Sequence, residues 1–79
     1  MIMFMAYLFI NTEIGSESSV LKALKKVEGV EEANGIIGIY DIVARIKTDT
    51  RDKLNSIIAK KIGGNEKITA KLTVLIREA

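Results

Sequence analysis

Gly38-Ile39-Tyr40-Asp41-Ile42-Val43-Ala44-Arg45-Ile46 is the stretch that decides the fold. A glycine-led turn delivers an aromatic ring and a carboxylate to the head of an alternating run. Ile42, Ala44 and Ile46 share one face of that run; Asp41, Arg45 and Lys47 share the other, around Val43. Alternation of period two marks a strand with one covered face. The strand is therefore expected to span Asp41 to Lys47, and Gly38 to turn the chain into it.

Outward from this turn the elements repeat in mirror order. Before it, Val30 to Ile37 reads as a weaker strand with Glu31, Glu32 and Asn34 towards solvent, and Gly35 inside it marks a bulge or a close backbone approach. Before that, Val20, Leu21, Leu24 and Val27 fall on one helical face. Ser16 or Ser18 suits the N-cap, Glu17 the first turn, and Lys22, Lys25 and Lys26 the far side and last turn, with Gly29 as the stop. After the turn, Thr48-Asp49-Thr50 offers a second N-cap, Leu54, Ile57, Ile58 and Ile62 follow at helical spacing, and Gly63-Gly64-Asn65 ends the helix. The outermost segments are strands. Met3 to Ile10 is apolar on both faces, so both are expected to be covered. In Ile68 to Arg77, the residues Ile68, Ala70, Leu72, Val74 and Ile76 share one face, and Thr69, Lys71, Thr73, Leu75 and Arg77 the other.

The order strand-helix-strand-strand-helix-strand predicts one α+β domain over residues 1–79. It is a ferredoxin-like βαββαβ unit, a four-stranded antiparallel sheet with both helices on one face. The uncovered face is expected to carry Tyr7, Phe9, Val43 and Leu75 beside Asn11, Arg45 and Thr73. An apolar patch of that kind is large for a small monomer, and a second copy packed through the same face would cover it.

Composition agrees. A chain of 79 residues buries only about 60% of its unfolded surface, yet 48% of its residues are hydrophobic and its mean hydropathy is +0.21. The net charge is +2, with both signs interspersed, too little to point to nucleic acid or an anionic membrane. The sequence has no Cys, which excludes a disulfide framework and a thiolate zinc site. It also has no His, which removes the usual general base near neutral pH. A non-enzymatic protein without cofactor or metal is expected. The apolar opening, Met1 to Ile10, is far shorter than the ~20 residues of a membrane helix and lacks a basic leader, so a cytoplasmic location is expected.

The turn is the candidate site: Gly38, Ile39, Tyr40 and Asp41. Gly38 permits close backbone approach, neighbouring N–H groups suit a carboxylate, Asp41 suits an ammonium, and Tyr40 offers a wall or a hydroxyl. Together they would recognise an α-amino acid. The same residues also suit a plain hairpin, with Tyr40 at an interface and Asp41 capping the turn. Arg45 and Lys71, read as lying on the open face, suit either a solvated charge, or an anion contact or intersubunit ion pair with Asp41 or Glu32. Lys22-Lys25-Lys26 and Lys60-Lys61 read as solvated helix surface. An RNA-recognition sheet needs stacking aromatics on its central strands, where Val43, Arg45 and Thr73 are expected here.

With this layout the chain resembles the ligand-sensing C-terminal domain, or RAM domain, of the Lrp/AsnC transcription regulators. The likeness covers nearly the whole chain. It rests on Ala6-Tyr7-Leu8-Phe9-Ile10-Asn11-Thr12 with Gly15 after it, on Val20-Leu21 and Leu24, on Gly29-Val30, and above all on Gly38-Ile39-Tyr40-Asp41-Ile42-Val43-Ala44. The resemblance implies a non-catalytic regulatory module without the helix-turn-helix that reads DNA, and so without direct DNA binding. It implies dimers through the sheet, gathered into octamers or similar rings, and an amino acid held between dimers near the turn. It also implies full-length Lrp/AsnC proteins as partners. An ACT-type effector domain attached to a metabolic enzyme shares the topology and is the alternative.

Overall fold

A computed structural model describes residues 3–77. Four strands and two helical segments follow the expected order: β1 (Phe4–Thr12), α1 (Glu17–Lys25), β2 (Val30–Gly35), β3 (Ile42–Thr48), α2 (Arg51–Ser56) and β4 (Ile68–Ile76). The sheet is antiparallel throughout, with strand order β2-β3-β1-β4. This is the ferredoxin-like α+β arrangement, with the two longest strands, β1 and β4, side by side.

The core lies between the sheet and the helices. Ala6, Leu8 and Ile10 of β1 pair in register with Ile46, Ala44 and Ile42 of β3. Val20 and Leu24 of α1, Leu54 of α2 and Ile62 close over them, all with 2% exposure or less. Each such buried aliphatic side chain contributes about 1.5–3 kcal/mol relative to an exposed one. From Ala6 onward the even residues of β1 are buried and the odd ones half-buried. Both its faces are apolar, and the chain covers one of them.

The caps differ between the helices. Thr50 accepts a hydrogen bond on its side chain from the Lys53 N–H at 3.1 Å, as a capping threonine should. Ser16 occupies the N-cap of α1 without a side-chain bond; Glu17 accepts the Gly15 N–H instead, at 3.2 Å. α1 stops at Lys25, ahead of Gly29, whose φ of +97° serves the turn into β2. α2 runs directly into a π-helical segment, Ile57–Ile62, in which the Gly63 N–H reaches back five residues to the Ile58 carbonyl at 2.9 Å. Wider π turns are rare, and simple helical spacing gives no warning of them.

Two register irregularities shape the sheet. In β2 the register shifts between Val30 and Glu32, not at Gly35. In β4, Thr12 pairs with Ile68 while Asn11 pairs with Ala70, so Thr69 is an extra residue. One extra residue sends every later side chain to the opposite face. Ile68 accordingly packs on the core side, whereas Leu72 stands opposite Phe9, and Val74 opposite Tyr7. Lys71, Thr73 and Leu75 stand opposite Ile10, Leu8 and Ala6. The expected placement of Leu75, Thr73 and Lys71 on the open face is therefore corrected: all three belong to the helix side. Strict alternation, counted from Ile68, ignored the bulge.

Candidate functional site

The chain from Ile36 to Asp41 is held by main-chain bonds at both ends. The Ile36 N–H donates to the Asp41 carbonyl at 2.8 Å, and the Asp41 N–H donates to the Ile10 carbonyl at 2.9 Å. The Asp41 side chain adds a third tie, Oδ2 accepting the Thr12 N–H at 2.9 Å. The turn that precedes β3 is thus bolted to the end of β1. Gly38 has φ of +153°, with nothing within 4 Å of where a Cβ would stand. Its requirement is torsional rather than spatial.

The four predicted site residues divide into two pairs. Tyr40 and Asp41 are half-buried, while Gly38 and Ile39 project into solvent. The Tyr40 ring packs on Phe9 with centroids 5.7 Å apart and planes at 48°. That joins the turn to the open sheet face. Tyr40 thus packs on the sheet of its own chain, and Asp41 ties the turn to β1. One carboxylate oxygen is committed to Thr12; among the described residues no other group bonds this carboxylate. Its orientation is fixed, which is what recognition of an incoming ammonium requires.

Sequence reasoning missed two features here. Thr12, as partner of Asp41, is one. The other is apolar exposure at the same end of the sheet, where Ile14, Ile37 and Ile39 are 102%, 106% and 87% exposed. The signal was available in Ile36-Ile37-Gly38-Ile39, a turn region built from isoleucine instead of polar residues.

The open face continues from Tyr40. Phe9 stands between Val43 and Leu72, and Tyr7 between Arg45 and Val74. Leu72 and Val74 remain 47% and 41% exposed. An apolar band therefore crosses β3, β1 and β4. At its β2 border the Arg45 guanidinium lies 3.9 Å from both Glu31 and Glu32; the β2 bulge brings the two successive glutamates to one partner. Arg45 Nε is buried without a hydrogen-bond partner. Among the described residues no group of three acidic residues could hold a metal ion, and no helix is long and apolar enough to cross a membrane.

No family model matches the sequence, and no curated protein matches it. Solved structures do. FFRP-DM1 is 29% identical, with a TM-score of 0.89 over 92% of this chain and 97% of its own. TTHA0845 from Thermus thermophilus is 21% identical, with a TM-score of 0.90 over 96% of this chain and 95% of its own. AsnC from E. coli is 21% identical, with a TM-score of 0.88 over 96% of this chain but 52% of its own. The chain thus spans about half of AsnC and nearly all of the other two. These neighbours are of the Lrp/AsnC type, and the chain has their RAM-like fold.

Proposed function

We propose that this RAM-like chain, residues 1–79, is a non-catalytic regulatory module that pairs through its open sheet face and responds to a small amino acid at the Gly38–Asp41 turn. The observation that carries the reading is the uncovered apolar band of Tyr7, Phe9, Val43, Leu72 and Val74, joined to the turn by the contact of Tyr40 with Phe9. Two such faces packed across a two-fold axis would bury both bands. The isoleucine-rich ends would then remain outside the dimer, available to join dimers into a ring. An amino acid bound there would find the fixed Asp41 carboxylate for its ammonium group.

Support for an amino-acid ligand comes from a neighbour of the same fold. The transcriptional regulator NMB0573 from Neisseria meningitidis, 6% identical with a TM-score of 0.80 over 95% of this chain and 50% of its own, was solved as a complex with L-Met. A ligand completed only by the joined dimers shifts the assembly towards that state. Through the same faces the chain would co-assemble with full-length Lrp/AsnC regulators and alter their ring without touching DNA itself.

The test is mass in solution by light scattering, with and without a panel of free amino acids. A dimer or larger assembly whose size responds to one of them supports the reading. A monomer at high concentration refutes it.

A further inference from the structure

At the end of the sheet opposite the Gly38 turn lies a second, separate feature. On the helix side of the sheet Leu8, Ile10, Ile42 and Ile46 are wholly buried, and Val30 and Ile68 partly so. Leu75 stands opposite Ala6 on that side yet is 44% exposed. The cause is where the helices sit: α2 packs chiefly on β1 and β3, and β4 stays exposed between its two ends. The result is a cleft of about 310 Å³ between α2 and the end of β4, with Phe4, Leu54 and Leu75 as apolar lining and Arg51 and Arg77 beside them. Arg51 opens α2 and Arg77 lies just past β4, and among the described residues neither belongs to an ion pair.

We propose that this cleft binds a small amphiphilic anion, a carboxylate or phosphate carrying a short hydrocarbon body. The volume lies at the small end of ligand pockets, and such pockets are mostly apolar with a few polar groups that fix orientation. The hydrocarbon covers Leu75 and reaches Leu54. The anionic head meets Arg51 and Arg77, whose guanidinium forks match the oxygens of a carboxylate or phosphate. The opposite sign of head group would meet two like charges. This site shares no residue with the turn.

The test is NMR titration of the intact protein with octanoate, octyl phosphate and octanol. Octanoate or octyl phosphate should shift the Leu54 and Leu75 methyl signals saturably. The tighter of the two identifies the head group, and either result supports the site. Octanol should bind at least about tenfold more weakly, and the double variant R51Q/R77Q should lose about tenfold in affinity while its spectrum elsewhere stays unchanged. Octanol binding as tightly as the anions, undiminished binding to R51Q/R77Q, or no saturable shift would each overturn the proposal. Asp41→Ala should leave octanoate binding intact, so this site stands or falls apart from the amino-acid reading; loss of octanoate binding in that variant would also overturn it.

Discussion

The Thr12 N–H donates to Asp41 Oδ2 at 2.9 Å across 29 residues of sequence. That bond joins the last residue of β1 to the residue before β3, so the carboxylate proposed to meet a ligand is also a structural clamp. Asp41→Asn keeps an acceptor for Thr12 and removes the charge. Asp41→Ala removes both. Asparagine should therefore abolish amino-acid binding in calorimetry with little loss of stability, whereas alanine should also lower unfolding free energy by about 1 kcal/mol in urea titration. Unchanged binding in both variants would count against the turn as a site.

The bulge at Thr69 makes opposite predictions for two neighbouring residues. Val74→Glu places a charge within the apolar band and should convert a sheet-face dimer to monomer, since an unpaired charge in a sealed interface is costly. Phe9→Glu should act likewise. Leu75→Glu lies on the other side and should leave the dimer intact. Sedimentation of the three variants decides the matter; loss of the dimer in Leu75→Glu alone would contradict the register.

Gly29→Ala should be a damaging substitution. Its φ of +97° disfavours any side chain, and the new Cβ would stand 2.8 Å from Ile57 Cδ1. A cost of about 1–2 kcal/mol is expected, seen as a fall of roughly 5–10 °C in Tm for a domain this size. Gly15→Ala shares the positive φ but meets nothing within 4 Å, so it should cost less.

Arg45→Met should be nearly neutral in thermal melts, within about 0.5 kcal/mol, because surface ion pairs contribute little. Its contacts with Glu31 and Glu32 are long, at 3.9 Å, and partly exposed. Loss of the unpartnered Nε removes a burial cost as well. A large destabilisation would show that this arginine organises the β2 edge.

The order of elements was legible because β3 and the helices carried a clean period: two in Ile42-Ala44-Ile46, and close to 3.6 in Val20 and Leu24. The hairpin turn was legible from Gly38, and the Tyr40 and Asp41 positions with it. What escaped were features that periodicity does not encode. A bulge changes parity without changing composition, so Leu75 was assigned to the wrong side. The π turn after Ser56 still buries Ile62, so its sequence looks like an ordinary helix. Thr12 could not be linked to Asp41 because the bond uses a main-chain donor, which every residue but proline offers.

Thr69 leaves a wider mark than its size implies. Were it paired instead of bulged, strict alternation from Ile68 would set the ammonium of Lys71 amid the greasy seam, and pairing would carry an electrostatic handicap. An irregularity at the rim of the sheet thereby decides what its open face is made of. Excising it should straighten the strand yet leave Lys71 on the helix side, because each later residue keeps its place opposite β1.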